Sequence, residues 1–340
     1  MKTEAYKPID FHSKKDLAGF LNSLYGSNIN FDFFLNEYGR AYNFCCTSQH
    51  VKFFPLAFYD EGKMVAHVAL IVDDRLEDGE AFFGLFEVVD DVTVFEGVWR
   101  ELNKLAKMHK LQSLKGPVNG SIWHQYRCIT EDSSVPFFKT EPMTQLYYHD
   151  FLSQVNPTNE ITYSSGVRNS YSDILELLKT HKESITQKLS EKKFRIEVTK
   201  EISHEILLSI SKLSAVVFDE KSWGYTELDP SEFSSLYDPN KINEHIYKLF
   251  LLYHDNTLVG YCGTMKEEQN LICKTICIAP GLQGKGLGNA LALSIHEEAE
   301  QDGIEKIMYA LVKDGNQVHN YPTEDVEVFR RYSVFEYELT

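Results

Sequence analysis

The stretch from Thr275 to Leu291 constrains the fold more than any other. It reads Thr275-Ile-Cys-Ile-Ala-Pro280-Gly-Leu-Gln283-Gly-Lys-Gly-Leu-Gly288-Asn-Ala-Leu. An apolar strand ends at Pro280. A loop then carries four glycines (Gly281, Gly284, Gly286 and Gly288) within eight residues. A helix follows at once, with Leu287, Leu291, Ile295 and Ala299 on one face. The first N–H groups of a helix have no partner within it, and the positive end of its dipole adds to them. Glycines let a phosphate approach that backbone without meeting a Cβ. Strand, loop and helix together predict an anion site in an α/β fold.

Spacing separates three kinds of phosphate loop. Glycines at 284, 286 and 288 do not fit the GxGxxG of dinucleotide-binding folds, and Lys285 lacks the following Ser or Thr of a Walker loop. Gln283-Gly-Lys-Gly286-Leu-Gly288 does meet the Gln/Arg-x-x-Gly-x-Gly/Ala pattern of the GNAT acyltransferases, with the strand before it and the helix behind it. On these residues the chain resembles a GNAT-type N-acetyltransferase over roughly Phe194 to Leu339.

The resemblance implies an acyl-CoA, most simply acetyl-CoA, lying between two splayed parallel strands, Leu271–Ala279 and Ile304–Val312. Ile276 and Ile278, with Cys277 between them, would pair with the pantetheine. The amides of Gln283, Gly284, Lys285, Gly286, Leu287 and Gly288 would hold the pyrophosphate, with Asn289 and Asn316 adding polar contacts. The chemistry implied is direct attack of an amine on the thioester, with no metal. A Tyr on the last helix, expected over Thr323–Tyr332, would serve as general acid, and Tyr332 is the candidate, although Ser333 or Val334 stands where the family has Gly. No carboxylate on Leu271–Ile278 offers itself as base; His319 and Glu324 are nearby in sequence. Asp219, Glu220 and Trp223 fall where the family covers its acceptor and could bind an ammonium, or could equally be a solvated loop.

Upstream, the periodicities repeat the same order. Helix, hairpin, strand, helix and strand are expected at Asp16–Tyr25, Phe53–Val72, Ala81–Val89, Val92–His109 and Leu111–Leu114, and again at Ile202–Phe218, Ile246–Lys266, Leu271–Ala279, Gly288–Asp302 and Ile304–Val312. The fold expected is α/β (α+β), with two GNAT-like domains. Each is a mixed, mostly antiparallel sheet flanked by helices, and the splayed pair is in the C-terminal one. The domains are placed at 1–170 and 194–340, joined by a helical connector at 171–193. The first domain lacks the loop: Asp90-Asp91 follows its third strand, and two carboxylates would repel a pyrophosphate. It is therefore expected to be degenerate. Its densest polar stretch, Lys115-Gly-Pro-Val-Asn119 through Arg127, could with Glu141-Pro142 and Tyr147-Tyr148 line an acceptor pocket or form a rigid turn.

Charge narrows the function. The chain carries 50 acidic against 34 basic residues, a net charge of -16, spread over both halves. Nucleic-acid binders need a basic field, so a nucleic-acid partner, including charged tRNA, is disfavoured, and a cationic amine is favoured. No segment is apolar for long enough to span a bilayer. Six cysteines show no CxxC or metal-ligand spacing and are expected to be reduced core thiols of a cytoplasmic protein. The reading is an N-acetyltransferase acting on a primary amine of a small molecule. The alternative is a non-catalytic acyl-CoA sensor or scaffold. A homodimer is compatible with either.

Overall fold

The computed structural model describes residues 2–5, 11–28, 30–131, 133–218, 223–238, 246–316 and 325–339. The chain divides into two compact units. Unit 1 comprises 1–163, 223–226 and 330–340, and unit 2 comprises 164–222 and 227–329.

In unit 1, strand β1 (Lys2–Ala5) precedes helices α1 (Phe11–Tyr25) and α2 (Phe31–Thr47). Next come β2 (Val51–Asp60), β3 (Lys63–Asp73), β4 (Glu80–Val88), α3 (Val92–Met108), β5 (Ser113–Gly116), β6 (Cys128–Glu131) and α4 (Tyr147–Gln154). β1 to β4 pair antiparallel in order, and β4 pairs parallel with β5. β2 to β4 are buried on both faces, which is why they read as unbroken apolar runs. Because side chains alternate along a strand, Val68 and Leu70 face α3 and α4, while Ala69 and Ile71 face α1 and α2. Helix α2 was not expected from the sequence. Its buried Phe34, Tyr38, Ala41 and Cys45 nevertheless carry the helical spacing.

Strand β7 (Asn159–Arg168) follows α4. The connector expected at 171–193 is two helices of unit 2, α5 (Ser172–Thr180) and α6 (Lys182–Glu191). Unit 2 continues with β8 (Phe194–Thr199), α7 (His204–Val217), α8 (Pro230–Leu236), β9 (Ile246–His254), β10 (Thr257–Glu267), β11 (Asn270–Ile278), α9 (Leu287–Gln301) and β12 (Lys306–Lys313). β8 to β11 pair antiparallel in order, β11 pairs parallel with β12, and β12 neighbours β7. α5 packs on α9 through Ile174, Leu175, Leu178 and Leu293. Helix α9 stops where expected: Gly303 follows it with φ +64, a left-handed position that glycine adopts freely.

The helix expected over Thr323–Tyr332 is corrected. Residues Val326–Glu338 form strand β13, and residues 317–324, with His319 and Glu324, lie outside the described residues. The strand is buried on both faces from Tyr332 to Phe335, in a run rich in β-branched and aromatic residues. Residues 330–340 complete unit 1, where β13 pairs antiparallel with β5 and β6. Unit 1 thus has five strands in the order β1 to β5, with β13 beside β5 and β6 pairing β13, and unit 2 has five in the order β8 to β12, with β7 beside β12.

The parallel pair splays in both units, with opposite consequences. In unit 1 the β4–β5 pairing ends at Phe82 and Lys115, and a register shift against β3 follows between Gly84 and Glu87. The chain itself then closes the notch. Val118 N–H donates to Phe83 O at 2.8 Å, and the Asn119 side-chain oxygen accepts from Leu85 N–H at 2.7 Å. A Cβ on Gly84 would stand 1.8 Å from Val118 O. Gly84→Ala should therefore destabilise unit 1 by about 3 kcal/mol. Denaturant unfolding of the variant checks this, and a loss below about 1 kcal/mol would show that the closed notch yields easily.

Candidate acyl-CoA site

In unit 2 the β11–β12 pairing ends at Cys273 and Tyr309. β11 stays paired with β10 as far as Ile278, with Lys274 as the extra residue of a bulge opposite Gly263 and Thr264. Among the described residues, no strand pairs with the β12-side edge of β11 from Thr275 to Ile278. Lys274 and Ile276 are exposed, and Ile276 is 40% exposed, high for a large apolar side chain with a strand on one flank. Cys277 points the other way and is buried.

The apex of the splay is fixed from α9. His296 is buried, and burial pushes its imidazole below the usual histidine range, so it is neutral near pH 7. Nδ1 lies 2.7 Å from Ala292 O and must donate to it, so Nε2 accepts from the Tyr309 hydroxyl at 3.2 Å. Arg168, 3% exposed and paired with Asp325 at 2.7 Å, lies 5.9 Å from the centre of the Tyr309 ring. Past the apex, Leu311 adopts φ +58, and its N–H is accepted by Ser165 Oγ at 3.0 Å. β12 is therefore held away from β11 by contacts on its far side.

Beyond Ile278 the chain turns through Pro280–Leu282 into the glycine loop. The Gln283 side chain donates to Ile278 O at 3.0 Å and closes the end of the strand. Lys285 Nζ donates to Gly281 O at 2.7 Å, drawing the loop into a ring. Gly284 and Gly286 have φ +73 and +82, and a Cβ on either would meet nothing within 4 Å. Their backbone conformation favours glycine, and the space in front of them is open. Gly286 is the N-cap of α9 and supplies no side-chain cap. Among the described residues, the amides of Gly284, Lys285, Gly286, Leu287 and Gly288 have no acceptor, and all but Leu287 are solvent-accessible residues. Asn289 is exposed on the first turn, and Asn316 follows β12 in a turn where its N–H donates to Lys313 O.

Unit 1 shows what a blocked version looks like. At the matching helix start, the Asp91 carboxylate caps α3, accepting from Thr93 and Val94 N–H. The amides that would hold a phosphate are taken by a carboxylate of the same chain.

The remaining sequence candidates are placed elsewhere. Asp219 and Glu220 lie outside the described residues. Trp223 belongs to unit 1, where it packs against the cluster between the sheet and helices α1 and α2. Beside it, Thr226 O accepts from Trp123 Nε1 at 3.3 Å. Tyr332 is fully buried in unit 1, and its hydroxyl donates to Glu141. The structure thus brings the strand edge and loop candidates together and gives Tyr332 an interior partner. The sequence analysis missed the Tyr309–His296 contact, because residues on a strand and a helix meet there only through packing.

Among the described residues no group of side chains could hold a metal ion, and no helix is long and apolar enough to cross a membrane. The six cysteines are free, and all but Cys46 are buried.

Residues 215–321 match the Acetyltransferase (GNAT) family. No curated protein sequence matches the chain. Several solved structures share its fold. A tandem GNAT protein from the clavulanic acid biosynthesis pathway is similar at TM-score 0.59 and 10% identity, over 100% of this chain and 98% of that one. A probable N-acyltransferase from Enterococcus faecalis is similar at TM-score 0.58 and 8% identity, over 98% and 71%. A GCN5-related N-acetyltransferase from Sphaerobacter thermophilus is similar at TM-score 0.50 and 10% identity, over 99% and 95%.

Proposed function

We propose that this chain, which has the tandem GNAT fold and a GNAT acetyltransferase domain at 215–321, transfers an acetyl group from acetyl-CoA to a primary amine of a small molecule. One observation carries the reading: among the described residues, the edge of β11 from Thr275 to Ile278 that no strand pairs leads into amides at the start of α9 that have no acceptor. The pantetheine would take this edge near Ile276 and Ile278. The pyrophosphate would take the amides from Gly284 to Gly288, where the dipole of a 15-residue helix favours negative charge. Gln283 and Lys285 act on the protein side, shaping the loop through their bonds to Ile278 O and Gly281 O.

The reaction is a displacement. The free amine attacks the thioester carbonyl, an N–C bond forms, the C–S bond breaks, and the thiolate takes up a proton. The net charge of -16 favours a cationic acceptor during encounter. The amine must shed a proton before attack, so the rate should rise with pH until the free amine predominates.

Titration with acetyl-CoA followed by an amine screen, read as release of free thiol, tests the proposal. Micromolar binding with turnover on an amine supports it. Absence of binding by folded protein sinks it. A second reading, an acyl-CoA sensor without turnover, is favoured by the strand β13 in place of the helix expected to carry the acid. Tight binding with no thiol release on any amine would select that reading.

A further inference from the structure

Strand β8 stands last in the order of strands, and among the described residues it pairs only with β9. Lys193 O accepts from Asp255 N–H at 3.0 Å, and the same register sets Arg195 opposite Tyr253 and Glu197 opposite Leu251. Hydrogen-bonded positions alternate along an antiparallel ladder. Arg195 and Glu197 therefore turn their backbone groups toward β9, and Phe194, Ile196 and Val198 turn theirs to the outer edge. Among the described residues, the N–H groups of these three find no acceptor beyond the sheet. A row of such groups is a template for another strand.

The side chains sort by face. Phe194, Ile196 and Val198 pack into the apolar cluster beneath α9, which Leu189 of α6 also joins. Arg195 and Glu197 lie on the other face, with side chains 50% and 46% exposed. Arg195 Nη1 donates to Glu197 Oε2 at 2.8 Å, and its guanidinium lies 4.0 Å from the centre of the Tyr253 ring. Lys193, at φ +56, turns the chain out of the strand just before Phe194 and so bounds the edge at one end.

We propose that this edge is a homodimer interface, in which two copies of the chain join antiparallel along β8. The sequence Phe194-Arg195-Ile196-Glu197-Val198 is its own antiparallel complement. About a two-fold axis through Ile196, Phe194 of each copy opposes Val198 of the other, and Arg195 of each opposes Glu197 of the other. The outward backbone groups of Phe194, Ile196 and Val198 then meet as hydrogen-bonded pairs. Arg195 and Glu197 fall at the positions between, where facing side chains approach closest. Each Glu197 lies between the Arg195 of its own chain and the Arg195 of the second copy. Sliding the pair to the next register that matches the outward groups opposes Arg195 to Arg195, or Glu197 to Glu197. Like charges directly opposite are destabilising, so the charge pattern selects one register. The interface lies within unit 2 and needs nothing from the acyl-CoA reading.

The test is sedimentation equilibrium of the full chain over a range of concentrations at low salt. The native protein should show a concentration-dependent mass that approaches twice the 39.2 kDa of one chain. Arg195→Glu and Glu197→Arg each place like charges at both contacts, and each should weaken self-association at least about thirtyfold. Both positions are exposed, so both variants should fold. Mixed in equal amounts, the two variants restore opposite charges at both contacts. They should then form a heterodimer about as tight as the native pair, a recovery that general loss of stability would not produce. A folded native protein that keeps the mass of one chain at every concentration overturns the proposal. Undiminished self-association in either variant places the interface elsewhere and also overturns it, as does a mixture in which no heterodimer forms.

Discussion

Gly286→Glu should abolish acetyl-CoA binding while leaving the fold intact. Gly286 caps α9 at φ +82, with nothing within 4 Å of where a Cβ would be. A side chain there meets no steric obstacle. It incurs only the left-handed backbone penalty of about 1–2 kcal/mol, so the protein should still fold. The new carboxylate, however, would stand where the pyrophosphate must approach. A pair of like charges about 4 Å apart at an effective dielectric near 20 repel by about 4 kcal/mol, roughly three orders of magnitude in affinity. Gly286→Ala separates the two effects: it carries the backbone penalty, a loss of about 1–2 kcal/mol in stability, without the charge, and its affinity should stay far above that of Gly286→Glu. Calorimetric titration of the three proteins checks this. Equal affinity in Gly286→Glu would place the pyrophosphate elsewhere.

Glu141→Ala should be among the most destabilising single changes in unit 1. The Glu141 carboxylate is 2% exposed and collects Arg330 Nη1 at 2.5 Å, the Tyr332 hydroxyl, and Phe138 N–H at 3.1 Å. Arg330, 1% exposed, also donates to Val135 O at 2.6 Å and lies over the Phe137 ring at 4.2 Å. The network pins the segment 133–141 onto β13. Removing the carboxylate leaves a buried guanidinium without its anion, a loss of about 3–5 kcal/mol. Tyr332→Phe removes one hydrogen bond and should lose about 1 kcal/mol. Denaturant midpoints measure both. The same pair tests the role that the resemblance implied for Tyr332. A large fall in turnover for Tyr332→Phe at unchanged stability would return it to the chemistry, and unchanged turnover would leave it a structural residue.

The two sites differ in how much of them could be read from the chain. The pyrophosphate loop was legible because its function is local. Gln283 to Gly288 needs only a strand end, positive φ at Gly284 and Gly286, and a helix start, and each leaves a mark at fixed spacing. The duplication was legible in the same way, because apolar periodicity records which face of each strand and helix is buried. β7 and β13 were not. A strand is stabilised by its neighbours, and the neighbours of these two lie more than 130 residues away along the chain, with β13 pairing β5 across more than 200 residues. The helix over Thr323–Tyr332 was implied by the resemblance alone, and the pairing of Val326–Glu338 with β5 and β6 decided for a strand.

The sequence by itself determined the local elements, the glycine loop and the absence of its counterpart in the first half, where Asp91 stands. Tertiary structure alone decided which segments complete each sheet. It also decided that the unit 1 notch is closed by Val118 and Asn119 while no described strand closes the unit 2 notch, and that Tyr332 meets Glu141. The physical reason is range. Backbone conformation and amphipathic spacing are set within a few residues, whereas long-range strand pairing, notch filling and buried ion pairing depend on groups that only the folded chain brings into contact.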